Sequence, residues 1–293
     1  LVNGIVSLVQ FAGLKITYFV DQSRDMKTKI CLLAVLLILA GCFSGLISCQ
    51  NKPPLKSSPA ALVRPRVIQT LPHDSLAFTQ GLFFDNGLLY ESTGLYGQST
   101  LRVLDAKNGA CMKKTALTDD VFAEGCARLG NKLLQLTWKE HIAVVYSFPD
   151  LMPQRTTAYA GEGWGLTADS VFFYMSNGSD TITVRDSSFG IVRRIPVRLR
   201  NKALGRLNEL EYARGKIFAN VWYNDTIYAI DPATGSVTNI IDCSEIIRLE
   251  QPGSTECVLN GIGYDKKSGR FFITGKNWRH IFVVAFDKFS GVP

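Results

Sequence analysis

The stretch IYAIDPATGS (Ile227–Ser236) decides the fold. A short run of β-forming residues closes on Asp, Pro, Thr and Gly, the chemistry of a strand running into a tight turn. The same unit recurs as LRVLDAKNGA (Leu101–Ala110), AVVYSFPDLM (Ala143–Met152), ITVRDSSFGI (Ile182–Ile191) and FVVAFDKFSG (Phe282–Gly291). Its period is roughly 45 residues, the length a four-stranded propeller blade needs. Ahead of each copy lies another pair of strands around an Asn, Asp or Gly turn: LFFDNGLLYES, ARLGNKLLQLTW, GLTADSVFFYMS, EYARGKIFANVW and GYDKKSGRFFITG. These are hairpins by local chemistry, and no long helical period interrupts them. Five copies of one unit predict an all-β chain folded as a five-bladed β-propeller. A β-sandwich of similar length leaves the repetition unexplained.

The N-terminal part reads differently. Met26-Lys27-Thr28-Lys29 opens a short basic region, and Ile30 to Ala40 is almost unbroken apolar sequence. That run is too short to span a bilayer as a helix, which takes about 20 residues. With small residues at its end it fits a secretory signal. Leu39-Ala40-Gly41-Cys42 matches a lipobox, whose cysteine takes lipid and becomes the mature N-terminus. Cys49, in Leu46-Ile47-Ser48-Cys49, is a second and poorer match, and an ordinary cleaved signal is the alternative. The expected organisation is an over-extended start over 1–25, a lipoprotein signal peptide over 26–49, a polar, Pro-rich disordered tether over 50–65, and the propeller over 66–293. A second hydrophobic anchor over Leu1–Val20 is the competing reading of the start. The expected address is outside the cytoplasm, lipid-anchored on the periplasmic side of a bacterial membrane or at the cell surface.

Composition narrows the chemistry. The formal charge of +7 is spread along the chain, which gives no case for a nucleic-acid partner. The densest basic patch, Arg193, Arg194, Arg198, Arg200, Lys202 and Arg206, reads as a solvated strand edge and loop. Three of the seven cysteines, Cys31, Cys42 and Cys49, fall in the leader. The other four, Cys111, Cys126, Cys243 and Cys257, include one pair that would close a short loop if oxidised, Cys243 with Cys257. Isolated buried thiols are the simpler reading. The three histidines, His73, His141 and His280, show no ligand spacing, so neither a metal nor a cofactor is expected.

Between the hairpins run eight short motifs. In order they are FTQGL (Phe78–Leu82), ESTGLYG (Glu91–Gly97), FAEG (Phe122–Gly125), GEGWGL (Gly161–Leu166), LNELEY (Leu207–Tyr212), ANVW (Ala219–Trp222), LNGIGYD (Leu259–Asp265) and TGKNW (Thr274–Trp278). Together, and in this order, they resemble the plant-and-bacterial type of glutaminyl-peptide cyclotransferase. The resemblance covers roughly Val67 to Phe286. It independently implies a five-bladed propeller, and it implies an enzyme that converts the N-terminal glutamine of a peptide or protein into pyroglutamate with release of ammonia. The expected protein acts as a monomer.

By that resemblance Glu124 is the catalytic residue. It corresponds to the Glu of the family's FGEG motif, although Ala123 stands here where the family commonly has Gly. Phe78, Phe122, Trp138, Trp164 and Trp222 correspond to pocket aromatics, Gln80 and Asn208 to residues that hydrogen-bond substrate, and Lys276 to a pocket lysine. Trp278 is carried only as further lining. For Lys276 an ion pair with Glu209 or Glu211 competes, and Glu91 is expected to support the loop or bind the substrate amine. The animal type of the enzyme uses zinc on a different fold, and the scarcity of histidine here speaks for metal-independent general acid–base chemistry through Glu124. A propeller that only binds peptides, or a metal-dependent lactonase-like hydrolase, are the other classes this architecture allows.

Overall fold

In a computed structural model, residues 60–286 are described in full, together with the backbone of residues 4–11 and 14–21. The expected signal peptide, both lipobox cysteines and most of the tether lie outside the described residues. Gly4–Phe11 and Leu14–Asp21, within the stretch read as an over-extended start, pair as an antiparallel hairpin.

The rest is the expected propeller. Blade one runs from Thr79–Asp85 through Leu88–Thr93 and Thr100–Asp105 to Cys111–Ala116, four antiparallel strands in chain order. Blade two (Ala123–Leu129 to Pro153–Ala158) and blade three (Leu166–Ala168 to Ile191–Pro196) repeat this order. Blade four begins at Leu207–Ala213 and reaches Val237–Asp242. Blade five supplies Leu259–Asp265, Arg270–Gly275 and His280–Ala285, and its outermost strand is Arg66–Pro72, from the other end of the domain. The fifth copy of the repeat is therefore followed by no strand of its own among the described residues. The ring closes through this pairing of strands far apart in sequence.

The recurrent Asp has a local job. Asp105 Oδ1 accepts the amide of Lys107 at 2.8 Å, Asp186 Oδ1 that of Ser188 at 2.9 Å, and Asp231 Oδ1 that of Ala233 at 2.7 Å. Each side chain mimics a backbone turn. Gly109 and Gly235 then take φ of 75° and 73°, which a side chain would resist.

There is no single core. Five apolar clusters fill the five blade-to-blade interfaces. In blade five, Phe271, Ile273, Phe282 and Val284 face blade four, whereas Phe272, Ile281 and Val283 face blade one. Period-two alternation on a strand buried on both faces explains why these strands read as continuous apolar runs.

One boundary moves. Ala61–Val63, inside the stretch expected to be a disordered tether, is a strand paired in parallel with Val237–Asp242 at the outer edge of blade four. Val63 is buried in the cluster between blades four and five while Leu62 is exposed. Three residues carry too little pattern to announce a strand; the waiting sheet edge makes it. The expected basic patch is exposed on the outer strand of blade three and the loop and hairpin after it. All four cysteines of the domain are free, with Cys126 and Cys243 buried. The only α-helix among the described residues, Ser244–Glu250, bridges blades four and five.

Candidate functional site

Four of the five innermost strands share a device near their start. In blade one Thr79 faces Thr93 and Gly81 faces Ser92, which leaves Gln80 as an extra residue. Blade two has the same surplus at Glu124–Gly125, blade four at Asn208–Glu209 and blade five at Asn260–Gly261. Such bulges bend a strand and re-aim a side chain. Blade three places Trp164 immediately before its first strand. Gln80, Glu124, Trp164, Asn208 and Asn260 are thus corresponding positions of the five blades, gathered at one mouth of the channel. The strand ends at the other mouth line a cavity of about 680 Å³. In its lining Asp85 pairs with Arg128 at 2.6 Å, and Asp169 accepts from Tyr174 and two backbone amides.

Glu124 is 5 % exposed. Its Oε1 accepts Gln80 Nε2 at 3.0 Å, and its Oε2 has no partner. Ser92 donates its hydroxyl to the Glu124 carbonyl and is itself held by Gln135 at 2.8 Å. Burial pushes the Glu124 carboxyl well above the ordinary carboxylate range; Lys276 opposes this, and Glu162 and Glu140 add to it. Burial likewise pulls the Lys276 ammonium down, against Glu124 and Glu256. Those two carboxylates, not Glu209 or Glu211, are the acidic neighbours of Lys276. Its Nζ stands 4.7 Å from the centre of the Phe78 ring.

The aromatics form two groups. Phe78, Phe122 and Trp138 meet edge to face, at 6.2 Å for the first pair and 5.5 Å for the second. Trp164 and Trp222 meet at 5.5 Å. Glu162 ties the groups together, because its Oε2 accepts the indole N–H of Trp138 at 2.8 Å and of Trp164 at 3.0 Å. Glu162 was not foreseen, although it lies within the GEGWGL motif. A half-buried indole needs an acceptor for its N–H, and that need was the signal available. Tyr96, which packs on Phe122 at 5.4 Å and donates to Glu140 at 2.9 Å, is a second addition at the rim.

Two further residues lie outside the two aromatic groups. Trp278 is core, fully buried between blades four and five, with its indole on the Cys257 carbonyl at 2.8 Å. Glu91 is enclosed in a network below Gln80, accepting from Thr79 at 2.7 Å and meeting His73 Nε2 at 2.8 Å. Burial alone would raise Glu91, but the charge and hydrogen bond of His73, with Arg102 and Thr79, hold it below its usual range. Burial also pulls His73 down, and Glu91 outweighs it, so the imidazole is raised. The pair joins blade one to the strand that closes blade five. Its contribution from His73 is fully present below pH ~6.5 and is lost as pH rises through the raised value. The difference in Tm between wild type and Glu91→Gln is therefore expected to shrink with rising pH over that window. Thermal melts across the window check it, and a constant difference would show that the pair is not what the variant removes.

Comparison with known proteins adds an independent line. A family model described as glutamine cyclotransferase matches residues 37–286. A curated glutaminyl-peptide cyclotransferase of Arabidopsis thaliana is 34% identical over 229 residues, covering 76% of this chain and 72% of its own. The crystal structure of Myxococcus xanthus glutaminyl cyclase superposes with a TM-score of 0.73 at 39% identity, covering 78% of this chain and 98% of its own.

Proposed function

The chain belongs to the glutamine cyclotransferase family, an enzyme that converts N-terminal glutamine into pyroglutamate, and we propose that it does so without a metal, through Glu124 as the single proton carrier in an aromatic pocket. The observation that carries this reading is a buried carboxyl with a raised pKa, one oxygen held by Gln80 and the other unpartnered.

In the reaction the substrate α-nitrogen attacks its own side-chain amide carbon, a C–N bond forms, and the amide C–N bond breaks. The α-nitrogen must lose a proton and the departing nitrogen must gain one. The Glu124 carboxylate takes the first proton and delivers it to the departing nitrogen, which leaves as ammonia, so the carboxylate is regenerated. A raised pKa brings Glu124 nearer to the amine, whose own value lies near 7.7–8, and proton transfer between matched groups is fastest. The tryptophans and phenylalanines exclude water and hold the flexible side chain folded. Lys276 is suited to stabilise the oxygen of the tetrahedral intermediate, in a setting where charge interactions are strong. Asn208 and Gln80 orient the amide. The three histidines are engaged elsewhere: His73 with Glu91, His141 with the Gly161 carbonyl and His280 with Glu250.

The test is ammonia release from a short Gln-initiated peptide, with and without a chelator. Turnover that resists the chelator is expected, and its loss on chelation would overturn the metal-free reading. The acid limb of kcat should lie above the ordinary Glu range of about 4.3. Glu162→Gln keeps an oxygen for both indoles and removes a neighbouring negative charge, so the limb should move to lower pH. An unmoved limb would detach Glu162 from the proton path.

We also propose that the mature protein is lipid-anchored through Cys42 or Cys49 and exported, on the strength of the sequence alone.

A further inference from the structure

Four of the five corresponding positions at the channel mouth, Gln80, Glu124, Trp164 and Asn208, carry expected site residues. The fifth is Asn260, which neither the motif reading nor the chemistry above employs. It is fully buried, and its contacts are specific. Asn260 Nδ2 donates to the Thr79 backbone carbonyl at 2.9 Å and to Gln80 Oε1 at 3.2 Å, while its Oδ1 has no partner.

These contacts fix directions that a side-chain amide alone leaves open. A backbone carbonyl only accepts, so the Thr79 oxygen sets the Asn260 amide with its NH₂ toward blade one. The same NH₂ then meets Gln80 Oε1, and that sets the Gln80 amide with its own NH₂ toward Glu124 Oε1, 3.0 Å away. An oxygen receiving an N–H is an acceptor, so the Glu124 proton belongs on the other oxygen.

We propose that Asn260 is a positioning residue for the reaction: a relay from the Thr79 carbonyl through Gln80 confines the mobile proton of Glu124 to Oε2, the oxygen left to exchange it with substrate. This rests on the reading of Glu124 as the proton carrier. Without Asn260 the Gln80 amide is free to turn. Its oxygen then faces Glu124, favours a proton on Oε1, and holds that proton away from the reacting nitrogens.

A double-mutant cycle tests the relay. The kcat and KM of wild type, Asn260→Ala, Gln80→Ala and the double variant are measured with a Gln-initiated peptide, each shown folded by its melt. Asn260→Ala is expected to lower kcat roughly 10- to 100-fold, the scale of a small misplacement of a catalytic group, with KM within about twofold of wild type. The acid limb of kcat should move to higher pH, because the turned amide stabilises the protonated carboxyl. In the Gln80→Ala background the same change should cost less than about twofold, since its effect runs through Gln80. An equal loss in both backgrounds, or a folded Asn260→Ala enzyme with wild-type kcat and acid limb, overturns the proposal. Should the alanine variant fail to fold, the near-isosteric Asn260→Asp, which has no donor when ionised, takes its place under the same outcomes. Glu124→Gln is run alongside: full turnover there would sink the reading of Glu124 itself, whereas an inactive Glu124→Gln leaves the cycle to judge Asn260 alone.

Discussion

Glu124→Gln is expected to lower kcat by about 10²–10⁴-fold, the usual worth of a positioned acid–base group, and to leave the propeller folded. Gln matches Glu in shape and can still accept from Gln80, but it cannot take up and release a proton. Its effect on stability runs the other way. Burial raises the folded pKa of Glu124, so the stability linked to its proton is fully present below the ordinary Glu value of about 4.3 and is lost as pH rises through the raised one. A neutral amide carries no such loss. Above that window the variant should melt no lower than wild type, and activity and Tm therefore separate. Ammonia release measured beside thermal melts gives both quantities. A variant that keeps turnover within tenfold of wild type would remove Glu124 from the proton path, and one that melts far below wild type would mean that its carboxylate holds the fold.

Gly165→Ala is expected to cost stability and activity together. The residue sits between Trp164 and the first strand of blade three. A Cβ there would lie 2.8 Å from both the Asn208 carbonyl carbon and the Glu209 Cα, and closer still to the Asn208 carbonyl oxygen. All three are backbone atoms of the neighbouring blade, so no side-chain rotation relieves the overlap. The expected cost is about 3 kcal/mol, the upper end for overpacking. At 2–4 °C per kcal/mol for a domain of this size, Tm should fall by roughly 6–12 °C. Blade four must shift to make room, carrying Asn208 away from the mouth, so kcat/KM should fall even in the folded fraction. Melts and kinetics at a temperature where the variant is folded check both. An alanine variant with wild-type Tm would mean that the blades do not approach this closely. The same tightness recurs around the mouth, where Gly81 packs on the Gly125 backbone and Gly125 on Gly165. A glycine after the site residue in FTQG, FAEG and GWG therefore reflects blades that meet backbone to backbone.

The acidic residues show how far the sequence could be read. Glu91, Glu124, Glu162, Glu209 and Glu211 all lie in the quoted motifs, and nothing local distinguishes them. Their surroundings do. Glu91 meets a histidine and an arginine and stays below its usual range. Burial pushes Glu209 and Glu211 well above theirs, and the charge of Glu211 adds to the rise of Glu209. Glu162 spends one oxygen on two indoles. Glu124 keeps an unpartnered oxygen as Glu91 and Glu209 do, but at the mouth, with the Lys276 charge acting on it. The resemblance chose Glu124 from motif position, and the other roles needed neighbours from blades far away in sequence.

The aromatic set divides in the same way. Trp138 and Trp164 share Glu162 and Trp222 packs on Trp164, whereas Trp278, two residues beyond Lys276 in one motif, points into the interface between blades. A strand residue and its second neighbour share a face only while the strand continues, and the chain leaves the strand at Gly275. Asn260 lies within LNGIGYD, but its worth appears only when the four bulges and Trp164 are laid side by side.

The sequence by itself determined the five-bladed propeller, because a strand–turn unit is written in short-range alternation and turn chemistry and was written five times, and its eight ordered motifs carried the resemblance to the family. Only the tertiary structure decided how the ring closes, with Arg66–Pro72 completing blade five and Ala61–Val63 capping blade four. It alone decided which buried carboxyl is held below its usual range, which is pushed above it and which oxygen is left free. Those outcomes are set by desolvation and by partners up to 205 positions away, as His73 is from the Trp278 carbonyl, and no local pattern carries that information.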